Sequence, residues 1–153
     1  MVNHDSVWCH STVATDERCM MTGEDLAAIH QLIALYGHAA DSDDDDIFDE
    51  VFSEDAVFKS RASDRLLEGR QAIKAWFALG KPPHPPAHQT TNVYVYETAD
   101  GTVRVKSKFL AINPDTGLPR TGDYNDIVVK TASGWRIRER VSFDRFGGYS
   151  FQS

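Results

Sequence analysis

The sequence has few cysteines and no long apolar run. Only Cys9 and Cys19 are present among 153 residues, and both precede the first predicted helix. They cannot cross-link a core from there, so we interpret both as free thiols and expect packing alone to stabilise the fold. No apolar run approaches the ~18 residues of a membrane helix, and the start of the chain lacks the basic flank and apolar stretch of a signal peptide. These absences favour a cytoplasmic protein with no membrane partner.

Basic residues are scarce in the first part of the chain. Residues 1–60 hold 14 acidic and 2 basic side chains, whereas residues 61–153 hold 9 acidic and 14 basic ones. The net charge of the whole chain is −7. An acidic chain is a poor candidate for binding nucleic acid, which needs clustered positive charge. In two predicted strands, basic side chains alternate with apolar ones: Arg104, Lys106, Lys108, Arg136, Arg138 and Arg140. This alternation predicts a basic outer face of a sheet, solvated or in contact with another subunit.

The length and composition are typical of one domain with a small pocket. Domains usually run ~100–200 residues, and the chain has 153, of which 41% are hydrophobic. We predict a leader over residues 1–21, a domain over residues 22–146 and a tail over residues 147–153.

Three helices are predicted in the first half. Thr22 followed by Glu24 and Asp25 is typical of a helix start. An apolar stripe at three- and four-residue steps then faces a core and ends at Asp41. The stripe consists of Leu26, Ile29, Ile33, Tyr36 and Ala40. A short second helix is predicted over about residues 44–52, and a third from Gly69 to the proline-rich segment 81–86.

Strands dominate the second half. After two short runs at 56–60 and 65–68, the hydrophobic period becomes two over residues 88–97, 102–112, 123–131 and 134–144, which form two predicted hairpins. Helices followed by a meander of strands indicate an α+β fold, with the helices covering one face of an antiparallel sheet.

A series of short motifs occurs along these elements. In chain order they are Tyr36–Asp41, Phe52–Phe58, Gly69–Ile73, His88 with Asn92, Gly122–Asp126 and Gly134–Ile137. Over about residues 25–143 the chain therefore resembles the SnoaL-like family of the nuclear transport factor 2-like superfamily. The resemblance implies a cone-shaped antiparallel or mixed sheet, wrapped by three N-terminal helices and enclosing a pocket. Similar proteins include scytalone dehydratase, hexachlorocyclohexane dehydrochlorinase, polyketide cyclases, ketosteroid isomerase and members that only bind ligands, so fold alone does not choose a function.

Asp41 and His88 are the candidate catalytic pair. Asp41 ends the core-facing stripe, and His88 opens the first long strand. The resemblance implies that the carboxylate orients the imidazole, which takes a proton from a substrate carbon. The alternative is that Asp41 only begins a solvated acidic run and that His88 is a strand-end histidine.

Tyr36 is the third candidate catalytic residue. It matches the oxyanion-hole tyrosine of ketosteroid isomerase and would donate to a developing enolate, or else it is a core residue with its hydroxyl at the pocket rim. The catalytic carboxylate of that isomerase falls near Ser60 here, which argues against the same isomerisation. The second pocket histidine of scytalone dehydratase falls near Asn113, which argues against an identical dehydration.

The remaining pocket candidates are polar residues on strands and a set of aromatic wall residues. Alternation allows either Tyr124 with Asp126, or Asn125, to face inward. Asn92 shares the strand parity of His88 and is a candidate to bind substrate. Alternation also points Glu139 inward, where it either pairs with an arginine, sits at a bulge or is a second acid of the pocket. The predicted walls are Phe58, Trp76, Phe109 and Phe143.

No cofactor or metal is predicted. The spacing of His4, His10, Cys9 and Cys19 fits no compact zinc pattern, and the chain has neither a phosphate loop nor a nucleophile elbow. The first hypothesis is thus a cofactor-independent lyase or isomerase, dehydratase- or cyclase-like, acting on a small apolar oxygenated substrate. The alternatives are a non-catalytic ligand-binding or assembly domain and the small subunit of a ring-hydroxylating oxygenase. We expect a homo-oligomer, a dimer or trimer, because an open sheet needs covering.

Overall fold

The computed structural model describes residues 21–42, 44–79, 87–113 and 115–145. Both cysteines, nearly all of the predicted leader, the tail and the proline-rich segment 81–86 lie outside the described residues. The domain boundaries therefore stay predictions. In the described part of the chain, no helix is both long and apolar enough to cross a membrane.

Three helices and six strands make up the fold. The helices are α1 (Gly23–Asp41), α2 (Ile47–Val51) and α3 (Arg70–Ala78). The strands are β1 (Phe52–Ser60), β2 (Arg65–Glu68), β3 (Gln89–Glu97), β4 (Val103–Ile112), β5 (Pro119–Thr131) and β6 (Gly134–Asp144). The predicted α+β class is confirmed, although α2 is shorter than predicted and β1 begins earlier.

The strands form one curved, open, mixed sheet in the order β2-β1-β6-β5-β4-β3. All neighbours are antiparallel except β1 and β6, which are parallel. Helix α1 packs against β3 and β6, and α3 packs against β1 and β2. The core therefore lies between the helices and the concave face of the sheet.

Helix α1 begins where its sequence predicts. The Thr22 hydroxyl accepts the Asp25 backbone N–H at 3.1 Å, and the Asp25 carboxylate accepts the Thr22 backbone N–H at 3.1 Å, which completes a capping box. The prediction that Leu26 lies in the core is wrong, since this side chain is 37% exposed. Asp25 takes the buried place in the first turn instead, where its carboxylate binds the Trp135 indole N–H and the Lys130 ammonium.

A β-bulge in β6 overturns the predicted alternation of that strand. Ile137 pairs with Val128 and Glu139 with Ile127, so Arg138 is an extra residue, and the inward parity changes after it. Arg140, predicted on the outer face, is fully buried. For Glu139 the alternative that it sits at a bulge is confirmed, and its side chain forms an ion pair with Lys59 at 3.3 Å and is 34% exposed.

Candidate active site

The helices and the curved sheet enclose a cavity of about 420 Å³. This volume is within the range of small-molecule sites. The apolar wall is formed by Ala40, Phe58, Trp76, Phe77, Leu79, Phe109 and Ala111. The polar side chains that line the cavity are Tyr36, Ser60, Ser63, Arg65, His88, Arg120, Tyr124, Ser142 and Asp144. The combination of aromatic rings with several polar groups suits a ringed, oxygenated molecule.

The structure places the Asp41 carboxylate against the His88 imidazole. Oδ1 of Asp41 lies 2.6 Å from Nδ1 of His88, and Oδ2 accepts the His88 backbone N–H at 2.6 Å. The two contacts fix both the ring and the backbone of the histidine. Because Nδ1 is hydrogen-bonded to the carboxylate, Nε2 is the ring nitrogen that can interact with a molecule in the cavity.

Asp41 itself does not line the cavity but stands behind the histidine. It borders a smaller depression of about 240 Å³ together with Gly37 and Ala87. The side chains of His88 and Asp41 are only 16% and 21% exposed. This placement is inconsistent with Asp41 as the start of a freely solvated acidic run.

Helix α1 approaches the residue before β3 closely, and Gly37 makes this approach possible. A Cβ atom at position 37 would lie 3.0 Å from the His88 carbonyl oxygen, tighter than nearly all real Cβ contacts. Asp41 is the last residue of α1, one turn beyond Gly37, so the same approach brings its carboxylate to the imidazole. The helix end and the strand start thus determine the geometry of the pair.

Two tyrosines and a buried ion pair lie next to the imidazole. The rings of Tyr36 and Tyr124 meet edge to face with centroids 5.5 Å apart, and Tyr36 also contacts the His88 ring with centroids 6.4 Å apart. The Arg140 guanidinium lies 3.8 Å from the Tyr36 centroid and 4.2 Å from that of Tyr124. Its Nε and Nη2 donate to the Asp126 carboxylate at 2.8 and 2.7 Å, in a bidentate pair.

Burial controls the protonation of this cluster. Removal from water raises the pKa of Tyr36 and raises that of Tyr124 well above its ordinary value, because the ionised phenolate is disfavoured. Burial also disfavours the charged guanidinium of Arg140, but attraction to Asp126 outweighs this effect and its pKa rises. The two phenols therefore remain neutral hydrogen-bond donors, and Arg140 remains a cation.

Six of the predicted site residues line the cavity: Tyr36, Phe58, Trp76, His88, Phe109 and Tyr124. The alternative left open in β5 is resolved, since Tyr124 and Asp126 are buried and Asn125 is exposed.

The other predicted site residues lie elsewhere. Asn92 is exposed, because it sits at positive φ (52°) in a bulge between Thr91 and Tyr94 that breaks the parity with His88. Asn113 is in a turn, where its side-chain oxygen accepts the Asp115 backbone N–H at 2.9 Å. Phe143 does not line the cavity either, because the bulge in β6 puts Ser142 and Asp144 on the inner face. The predicted pocket positions of these three residues are wrong.

Sequence reasoning missed several polar residues of the cavity. Ser142 and Asp144 line the cavity and Arg140 is fully buried beside Tyr36 and Tyr124; all three follow the bulge in β6, so simple alternation assigned them to the wrong face. Arg120 lines the cavity in an ion pair with Asp144, and Arg65 lies over the Trp76 ring at 4.4 Å from its centroid. Within the described ranges, no group of three or more His, Cys, Asp or Glu side chains is placed to hold a metal ion.

The chain belongs to the SnoaL-like domain family, because the profile of this family matches residues 21–141. The family includes isomerases, dehydratases and cyclases. None of the curated proteins matches the sequence.

Solved structures share the fold. A proposed aromatic ring hydroxylase from Novosphingobium aromaticivorans is 29% identical with a TM-score of 0.67. The match covers 81% of this chain and 91% of the hydroxylase chain. The protein Aln2 from a Streptomyces species is 27% identical with a TM-score of 0.65, covering 80% and 92%. A proposed scytalone dehydratase from Novosphingobium aromaticivorans is 22% identical with a TM-score of 0.65, covering 85% and 91%, and shows the fold alone.

Proposed function

We propose that the protein is a cofactor-independent lyase or isomerase in which His88 removes a proton from a carbon next to a carbonyl group. The contact of 2.6 Å between Asp41 and Nδ1 of His88, with the imidazole at the wall of an aromatic cavity, is the observation that carries this proposal. A histidine base positioned by a carboxylate typically contributes ~10²–10⁴-fold in rate.

The two residues of the pair have different roles. Asp41 accepts a hydrogen bond from Nδ1–H and so holds the ring in one tautomer, and Nε2 of His88 takes the substrate proton. The electron pair of the broken C–H bond moves to the carbonyl oxygen and forms an enolate. Return of the proton to another carbon completes an isomerisation. Its transfer to a departing β-hydroxyl group, which leaves as water, completes a dehydration.

Tyr36 and Tyr124 are the proposed donors to the enolate oxygen. Both line the cavity, and Tyr36 lies beside the imidazole. Their raised pKa values keep the hydroxyl protons in place, so the phenols donate hydrogen bonds rather than carry charge. The buried Arg140–Asp126 ion pair lies behind their rings and fixes the position of both phenols.

The cavity favours a small, mostly apolar ringed substrate. Phe58 stacks on Trp76 with centroids 6.2 Å apart, and Phe109 stacks on Tyr124 with centroids 4.7 Å apart, so flat aromatic surfaces border the space. The structural neighbours include a proposed aromatic ring hydroxylase that is 29% identical, which supports an aromatic substrate class.

Proton exchange in heavy water tests the proposal without knowledge of the natural product. A panel of aromatic hydroxy-ketones is incubated with the parent protein, and loss of the α-proton signal is followed by NMR. We expect catalysed exchange with some members of the panel, and a fall of at least ~10²-fold in the His88→Ala variant.

His30→Ala is the matched control, because His30 is an exposed histidine of α1 that does not line the cavity. Its exchange rate should equal that of the parent. Exchange that survives His88→Ala unchanged, or that is absent across the panel in the parent, contradicts the proposal.

A further inference from the structure

Arg65 is a cation in the cavity wall that the proposed reaction does not use. It lies on the edge strand β2, half-buried, with its guanidinium carbon 4.4 Å from the centroid of the Trp76 ring. No carboxylate of the described residues lies within ion-pair distance of it. The contact with Trp76 is to the face of the ring, which accepts no conventional hydrogen bond, so the N–H groups of Arg65 can bind another partner.

The other arginines that face the interior have acidic partners. Arg140 pairs with Asp126, and Arg120, also in the cavity wall, pairs with Asp144. The opposite charges of Arg120 and Asp144 cancel each other. Among the described residues that line the cavity, Arg65 therefore contributes a net charge of +1. This charge is opposite in sign to the net charge of −7 on the whole chain. The lining thus suits a ligand with a single negative charge.

Two serines share the cavity wall with this cation. Ser60 is the direct cross-strand partner of Arg65 between β1 and β2, and both side chains line the cavity together with Ser63. A planar guanidinium binds a carboxylate through two parallel N–H···O bonds, and neighbouring hydroxyls supply further donors. The apolar rings of Phe58 and Trp76 lie next to this polar corner.

We infer that the substrate carries a carboxylate group, which Arg65 binds while the apolar body of the molecule lies against Phe58 and Trp76. On the proposed function, on which this rests, the substrate class is an oxygenated aromatic carboxylate. Arg65 is on β2 and His88 precedes β3, the two opposite edges of the sheet. Both side chains line the same cavity, so a carboxylate bound by Arg65 orients the reacting carbon toward His88.

A matched pair of probes tests the inference by binding alone. The probes are 2-naphthoate and methyl 2-naphthoate, which share the rings and differ in the negative charge. Binding to the parent at neutral pH is measured by calorimetry. We expect naphthoate to bind more tightly than the ester, and Arg65→Met to weaken naphthoate binding by roughly 10–100-fold while leaving ester binding unchanged.

Two further variants make the result specific. Arg61→Met removes an exposed arginine of the β1–β2 turn that does not line the cavity, and it should bind both probes as the parent does. His88→Ala should retain the preference for naphthoate, so failure of the proposed catalysis leaves this test intact. Equal binding of the two probes by the parent, equal loss of both in Arg65→Met, or loss of the preference in Arg61→Met or His88→Ala would overturn the inference.

Discussion

Two acid–base pairs lie within one small domain and differ in their access to the cavity. Asp126 and Arg140 are joined by two hydrogen bonds, and both side chains are fully buried. Asp41 and His88 are joined as closely, but the histidine lines the cavity and both side chains retain some contact with solvent. One pair is enclosed on all sides, and the other has one ring nitrogen available to a ligand.

The difference indicates different contributions to the molecule. A charge that is completely removed from water has to keep its partner, so the Asp126–Arg140 pair fixes the packing of the two tyrosines. A pair at the cavity wall can exchange a proton without leaving an isolated buried charge. We therefore expect loss of the first pair to affect stability and loss of the second to affect chemistry.

The largest effect on stability is expected from Asp126→Asn. The substitution leaves the buried guanidinium of Arg140 without a counter-charge, which typically costs ~3–5 kcal/mol of unfolding free energy. The matched control is Asp41→Asn, the same change in the partly exposed pair, for which we expect a loss of about 1 kcal/mol or less. Urea unfolding followed by circular dichroism measures both.

A double substitution sharpens this comparison. Asp126→Leu with Arg140→Met removes both charges and fills the space with apolar groups, so it should be less destabilising than Asp126→Asn. Equal stabilities of the Asp126→Asn and Asp41→Asn variants would show that the enclosed pair has no special structural role.

A smaller effect, dependent on pH, is expected at Asp25, whose partners are only partly enclosed. Hydrogen bonds from Lys130, Trp135 and Thr22, in decreasing order, hold the pKa of the Asp25 carboxyl well below its ordinary value. The unfolded chain therefore takes up the proton at a higher pH than the folded protein does. The stabilisation is present above about pH 4, the ordinary value, and is lost as the pH falls below it.

Asp25→Asn tests this pH dependence. The variant should be less stable than the parent at neutral pH, and the difference should shrink as the pH falls from about 4 to about 2. Glu68→Gln, a change at an exposed carboxylate of β2 outside this cluster, is the comparison variant and should be as stable as the parent over the same range. A difference between Asp25→Asn and the parent that stays constant over this range would contradict the pKa assignment.

Most of the secondary structure could be predicted from the sequence, because it depends on local signals. The hydroxyl cap at Thr22, the apolar stripe and the alternation after residue 88 lead to helices and strands within a few residues of those observed. The order of the motifs also identified the family. The predictions of the length of α2 and of the start of β1 were less accurate, because tertiary packing decides where that short helix ends and the strand begins.

The site was only partly predictable for a specific reason. His88 and Asp41 lie at the ends of elements, and the resemblance to the family paired them. Arg140, Ser142 and Asp144 follow a bulge that leaves no clear signal in the sequence, and one extra residue reverses every later side chain. The same kind of irregularity removed Asn92 from the cavity.

The tautomer of His88 tests the central claim most directly. A long-range proton–nitrogen correlation NMR spectrum of the neutral imidazole, assigned by its loss in His88→Ala, shows which ring nitrogen carries the proton. We expect the proton on Nδ1, in a hydrogen bond to Asp41, with Nε2 unprotonated and free to act as a base. A proton found on Nε2 would contradict the assignment of His88 as the base.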